Sequence, residues 1–372
     1  MKILGISIVA CVLVLLQWLV YKKLWDRNLY VSVFFQQSGV AEGEEGEVIE
    51  IIENRKRLPL TMLKVKFQTS RFLGFIDAIG SKTTDQYYRN DVFQVSGGER
   101  ITRRLRFRAN KRGYYHIKNI DLVATDLFFL SEHMKNMTTE HYLYVYPKIL
   151  RCDDFRRSLQ KLNGEILVKR HMLEDPFEYR GIREYQPYDD IRSVNWKATA
   201  RTGDLKVNQK NYTAMQTIRI FLNLEDDGVW KKEKELEASL QIVMGIAQFF
   251  LSQGMKVSCY ANGRDILTDE HMEIRGISGI AQLDVLGKAL ARVDLSKKPK
   301  PFCELFERSI LEEADGFFTF VVSPNGYKDF IELLKKAQAK KILYLWYYPK
   351  LSYEKPTVPV ELEKQVQFVA IE

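Results

Sequence analysis

Three different spacings of apolar residues succeed one another along the chain. The first is unbroken. From Ile3 to Val20 no residue carries a charge, and Ser7 and Gln17 are the most polar members. As a helix rising about 1.5 Å per residue, this run is roughly 27 Å long, close to the hydrocarbon thickness of a bilayer. Trp18 and Tyr21 stand at its end, where amphipathic rings favour the headgroup level, and Lys22, Lys23 and Arg27 follow. The pattern predicts a membrane-spanning helix over residues 3–20, held by lipid, within an anchor and basic flank of residues 1–28. A cleaved signal peptide would show a shorter apolar stretch, a more basic start and a small-residue cleavage site. With only Lys2 ahead of the run and three bases behind it, the positive-inside rule places the soluble bulk in the cytoplasm, on a single-pass membrane protein.

The second spacing is alternation. YVSVFFQ, EVIEIIEN, TMLKVKFQ, ITRRLRFRA, YYHIKNIDLVATD and HYLYVYP are rich in β-branched and aromatic residues. Turn chemistry separates them at Gly43 and Gly46, before Pro59, at Gly97-Gly98 and at Arg112-Gly113. Short strands without a long helical period predict a β-sandwich domain over 29–150. In ITRRLRFRA, Ile101, Leu105 and Phe107 share one face and Arg104, Arg106 and Arg108 the other, which reads as a solvated strand face or as an anionic-headgroup patch.

The third spacing alternates strand and helix, from about residue 213 to 372. TIRIFLNLE, MKVSCYANG, FFTFVVSP and KILYLWYYP read as buried strands, with VQFVAIE as an edge. Between them, Leu236, Leu240, Val243, Met244, Ala247, Phe250 and Leu251 recur at helical spacing until Gly254. Further helical patterns follow in SGIAQLDVLGKALARVD, FCELFERSIL and DFIELLKKAQAK. This succession predicts an α/β doubly wound sheet, whose ligand sites lie at the carboxyl ends of the strands.

Composition adds exclusions. Apolar residues make up 46% and charged residues 28%, so the chain is globular rather than disordered. The net charge of +8 is mixed along the chain and forms no nucleic-acid motif. Four cysteines (Cys11, Cys152, Cys259 and Cys303) lack a CxxC pair, which argues against a disulfide scaffold or a zinc ribbon. There is no GxxxxGK phosphate loop, no HExxH and no GxSxG, and the five histidines are scattered.

A junction over 151–212 is the most distinctive stretch. Between His171 and Gln209, acids alternate with Arg180, Arg183, Arg192 and Arg201, and rings are interleaved. Such a strip can order itself by Arg–carboxylate pairing and guanidinium stacking. Asp190 is placed to cap a short helix with Ile191, Val194 and Ala198 turned inward. The order Arg183-x-Tyr185, Asp189-Asp190, Arg192, Trp196 and Thr199-Ala200-Arg201 resembles the signature of bacterial domain-of-unknown-function family number 58. The layout of anchor, β-domain, signature and a last domain resembling the von Willebrand factor A fold is similar as well. Many family members have two adjacent membrane helices, whereas this sequence has one.

Two roles compete for the signature: an interdomain brace, with Trp196 buried and its arginines paired to acids, and a docking surface for a partner. Catalysis by its acid pairs is a third, but arginine neighbours favour permanent anions over proton donors. Domains resembling the von Willebrand factor A fold often hold a divalent cation with Asp-x-Ser-x-Ser after the first strand. Here those positions read Asn223, Glu225 and Asp227, a degenerate set of oxygen donors for Mg2+, and Ser323-Pro324 ends the FFTFVVSP strand where another acid is common. The leading expectation is a non-enzymatic membrane scaffold or adaptor without a cofactor. The resemblance implies a MoxR-type AAA+ ATPase as its protein partner. The alternatives are an outward-facing, cation-dependent adhesion or ligand-binding module and, last, a hydrolase using the junction carboxylates.

Overall fold

The computed structural model describes residues 2–76, 81–150, 153–172, 174–187, 189–212, 217–226, 232–311, 317–353 and 358–371. It divides into two compact units, 1–148 with 287–293, and 149–286 with 294–372.

The first unit opens with the helix Lys2–Leu24. Its stretch Ile6–Leu24, with mean hydropathy 1.7, is long and apolar enough to cross a membrane. Its last turns are tied to the strands that follow. Tyr21 is fully buried and donates its hydroxyl to the Pro59 carbonyl at 2.7 Å. Trp25 stacks on His133 with ring centroids 6.2 Å apart, and Lys135 pairs with Asp26 at 2.9 Å.

Two sheets share the core of this unit. One has the order Leu29–Phe35, Glu45–Asn54, Arg100–Ala109, Leu73–Phe75. The other runs Gly39–Ala41, Glu132–Tyr146, Gly113–Thr125, Leu60–Ser70, Gln86–Val95, Ser81–Thr83. Alternation builds them: Leu105 and Phe107 are buried, while Arg104, Arg106 and Arg108 face out. The strand Gln86–Val95 was not legible in the pattern for a physical reason. Its inward positions are Tyr87, Arg89, Asp91, Phe93 and Val95, so two charges interrupt the apolar face.

Those charges are matched inside. Arg89 Nε donates to Asp91 at 2.5 Å and its Nη1 to the Tyr87 hydroxyl at 3.0 Å. Arg103, from the other sheet, reaches the second Asp91 oxygen at 2.8 Å. Glu50 is fully buried opposite Arg103 in the strand register. Burial, with the Asp91 carboxylate nearby, pushes Glu50 up to about 8 against the pull of Arg103 and Arg89.

The second unit centres on a mixed sheet with the order His271–Ile277, Lys256–Asp265, Thr217–Leu222, Phe317–Val322, Tyr344–Leu351, Val366–Ile371. Every pairing in that order is parallel except that of the His271–Ile277 edge. Helices cover both faces. Helix Glu233–Ser252 packs Phe250 on Phe320, and helix Asp153–Met172 packs Phe155 on Tyr347. On the other face Phe302 and Phe306 (helix Phe302–Leu311) and Phe330 (helix Lys328–Ala339) share a core with Phe221, Val321 and Trp346. All seven apolar positions expected to face inward from Leu236 to Leu251 are buried, and Gly254 ends that helix with φ +75.

Within the stretch expected to be a junction lies the long helix Asp153–Met172. Phe155 and Leu159 are its buried apolar residues among the described side chains, too few for a visible period. An antiparallel ribbon, Glu174–Glu184 with Lys206–Tyr212, carries the signature.

Candidate functional site

The signature is built on the closed end of that ribbon. Pairing runs through Ile182–Asn208, Arg183–Val207 and Glu184–Lys206, and Tyr185 N–H then donates to the Leu205 carbonyl at 2.9 Å. The chain between the two strands folds as two short helical pieces, Ile191–Ser193 and Trp196–Thr202. Val194 bridges to Val207 and both are buried, which fastens these pieces to the ribbon.

Charged and capping groups fix the loop. Arg183 grips Asp189 with two parallel bonds of 2.6 Å, and the same carboxylate accepts the Gln186 N–H at 2.8 Å. The Arg183 guanidinium therefore holds Asp189 below its ordinary range. Asp190 caps the first helical piece, accepting the Arg192 N–H at 3.0 Å. The second piece is capped by Asn195, whose Oδ1 accepts the Ala198 N–H at 3.0 Å and whose Nδ2 donates to Asn208 at 2.6 Å. The Lys206 N–H reaches the Thr199 hydroxyl at 3.0 Å. Gly203, with φ +82, closes this helix.

The structure thus brings Arg183, Tyr185 and Asp189 together in one turn, places Asp190 and Arg192 in the next, and sets Trp196 and Arg201 on the second helical piece. Two expectations are corrected. Trp196 is not buried; it is 65% exposed, because it occupies the first position of a short helix whose inward anchor is the preceding Val194. Ile191 is likewise 67% exposed rather than turned inward. The side chains of Glu174 to Arg180, and Tyr188, lie outside the described residues. Asn195 was missed by sequence reasoning, although an asparagine just ahead of a helix is an ordinary capping signal.

Chemically, Asp189 is a fixed anion and Asp190 a backbone acceptor. Both Asp189 oxygens are taken by Arg183, and one of them also by the Gln186 N–H.

Residues 181–265 match the family described as "Protein of unknown function DUF58". The matched segment holds every signature residue named above and continues through the first strand, helix and second strand of the α/β unit. No curated protein matches the chain. Among solved structures, a crystal structure of a Salmonella alpha-2-macroglobulin mutant is similar at 15% identity, over 32% of this chain and 7% of that one, with a TM-score of 0.23. So slight a likeness carries no argument.

The matched segment also contains the strand-end loop. Asn223 is fully buried after its strand. Its Nδ2 donates to the Ser323 hydroxyl at 3.2 Å, and its Oδ1 accepts from Asn262 Nδ2 at 3.2 Å and from the Glu225 N–H at 3.0 Å. Asn262 in turn accepts the Leu224 N–H at 2.8 Å and donates to the Lys300 carbonyl at 3.0 Å. The Glu225 carboxylate accepts the Phe302 N–H at 2.9 Å, at the start of a helix, and the Tyr327 hydroxyl. Burial and this carboxylate push the Tyr327 phenol up. Asn325 donates to the Glu225 carbonyl, and Ser323 donates to the Asn325 carbonyl at 2.9 Å. Asp227, the third of the degenerate cation donors, lies outside the described residues. Among the described residues, then, Asn223 and Glu225 spend their oxygens on protein donors. Among the described residues, no group of three or more His, Cys, Asp or Glu side chains is placed to hold a metal. Asn262, Asn325 and Tyr327 complete the network and had no motif to betray them.

Proposed function

We propose that the protein is a membrane-anchored, non-enzymatic adaptor whose signature segment docks a protein partner. The observation behind this reading is Trp196, presented to solvent on a helix that is capped, closed and fastened to a ribbon. Ile182, Ile191 and Leu205 of the same matched segment are exposed with it. A large aromatic ring held out on an ordered support is the kind of anchor that dominates protein interfaces. In this reading the first unit is a β-sandwich beside the membrane, and the second is a binding domain of von Willebrand factor A type. Lys22, Lys23 and Arg27 favour the cytoplasm for both. The family resemblance suggests a MoxR-type AAA+ ATPase as partner. The strand-end network, whose Asn223 and Glu225 oxygens are taken by protein donors, favours this over a cation-dependent adhesion module.

The test is direct binding. The full-length protein in nanodiscs is titrated with a purified MoxR-type ATPase from the same genome, loaded with nucleotide. Trp196→Ala is expected to weaken binding by about tenfold or more. Absence of binding, or equal binding by the variant, removes the docking reading. Protease added to intact cells checks the side: cleavage of the two units without lysis would overturn the cytoplasmic placement.

A further inference from the structure

The turn between the strands Gly113–Thr125 and Glu132–Tyr146 puts four large apolar residues in a row into solvent. Leu127, Phe128, Phe129 and Leu130 are between 41% and 66% exposed. Such a run on a water-facing turn costs solubility and contributes nothing to the core. The turn is nevertheless well built. Asp126 is fully buried, and its carboxylate accepts the Leu130 N–H at 2.8 Å and the Ser131 hydroxyl at 2.9 Å. The Phe129 N–H donates to the Asp126 carbonyl at 3.2 Å. Phe129 sits at φ 58, in the left-handed region where glycine or asparagine is ordinary and a bulky ring is not. A turn that needed only to reverse the chain would place a smaller residue there.

Its location supplies the explanation. The same Asp126 carboxylate accepts Gln17 Nε2 at 3.2 Å. Gln17 belongs to the apolar helix and stands seven positions before its last residue, Leu24. At 1.5 Å per residue that is about 10 Å inside the end of the helix. The turn is therefore joined to the helix within its apolar length, not below it. Tyr21, Trp25 and the Lys135–Asp26 pair hold the helix and this unit in the same register. On the helix itself Leu13, Leu16 and Leu19 are exposed, so the turn continues an apolar surface already facing outward.

We propose that the Leu127–Leu130 turn is a second membrane contact: an apolar wedge that enters the leaflet surrounding the C-terminal half of the helix. The occupant is lipid acyl chain and glycerol-level interface, the medium the helix itself meets at Gln17. The inference rests on the helix crossing a bilayer. Its effect is to fix how deep the helix sits and how the first unit is tilted on the membrane, since a single helix alone would let the unit swing.

The experiment uses the full chain in nanodiscs of phosphatidylcholine and phosphatidylglycerol that carry a diazirine on one acyl chain. After illumination, lipid adducts are mapped by mass spectrometry. Adducts on residues 127–130 are expected within about threefold of the yield on Leu13 to Leu19, and about tenfold above that on Ile76, an exposed residue bonded to Arg106 at the end of its sheet opposite Leu29. In a Phe128→Ser, Phe129→Asn variant, whose asparagine suits the left-handed turn, the loop adducts should fall to the Ile76 level while helix adducts persist. Adducts on the helix with the wild-type turn at the Ile76 level would overturn the wedge and leave the anchor standing. Adducts on neither would overturn both.

Discussion

The two units each bury a polar cluster, and the clusters are made of different material. In the first unit it is charged: Arg89, Asp91 and Arg103, with Glu50 beside them. In the second it is mostly neutral: Asn223, Asn262, Ser323 and Asn325 exchange amide and hydroxyl bonds, and the one carboxylate, Glu225, caps a helix start. The second cluster lies at the carboxyl ends of parallel strands, where a ligand would bind in such a sheet. Yet its donors and acceptors are turned on one another. The first lies between two sheets, away from any such position, and holds the strongly shifted carboxyl group. Position in the fold and chemical readiness therefore point in opposite directions, which is why the outward-facing signature, rather than either cluster, carries the proposed function.

The largest test of this contrast places a charge in the neutral cluster. Asn223→Asp gives the strand end the aspartate a cation loop would have. The new carboxylate replaces the amide that donated to Ser323 and sits fully buried. Stability of the second unit is expected to fall by about 3 kcal/mol, the usual cost of an unpaired buried charge. Denaturant unfolding measures it. Millimolar Mg2+ should not restore the loss. Full recovery with Mg2+ would mean that the loop is one residue away from a working cation site.

The second test removes the titrating group from the charged cluster. Glu50 keeps its proton in the folded protein up to about pH 8, whereas the unfolded chain releases it near the ordinary value of 4.5. Between these values the native state binds more protons, so its stability falls as pH rises and levels off above about 8. In Glu50→Gln that slope should vanish. Relative to wild type, the variant is expected to gain on the order of 4 kcal/mol between about pH 5 and pH 9. The difference between the two proteins cancels Lys56, which burial pushes down to about 8 and which acts with the opposite sign above that pH. Identical pH profiles would mean that Glu50 is ionised in the native state.

These two clusters also mark the limits of what the sequence made legible. Period-two alternation located Leu105 and Phe107, and helical spacing located Leu236 to Leu251, because burial of apolar side chains writes itself into the pattern. Arg89 and Asp91 occupy inward positions of a strand, and the same alternation reads them as solvent-facing. Asn262 and Asn325 come to their network from a strand and a loop far apart in sequence, which no spacing records. In the signature, Arg–carboxylate pairing was readable from composition and the Asp190 cap from position, but not that Arg183 would take Asp189. The exposure of Trp196 was not, since an indole in a motif is as well suited to a core as to an interface. What decided it was Val194, two residues earlier, taking the buried place.

The smallest expected effect is therefore the most discriminating for the signature. Trp196→Ala should leave the unfolding free energy within about 0.5 kcal/mol of wild type, as surface substitutions do. The residue is 65% exposed, so little burial is lost, and alanine is a good residue in a helix. The capping bonds of Asn195 use its own side chain and the Ala198 N–H, which the substitution leaves in place. Near-neutral stability together with weakened partner binding would separate a docking residue from a packing one. A loss of about 2 kcal/mol or more would instead place Trp196 with the buried clusters, as a brace, and would take from the docking reading the observation it stands on.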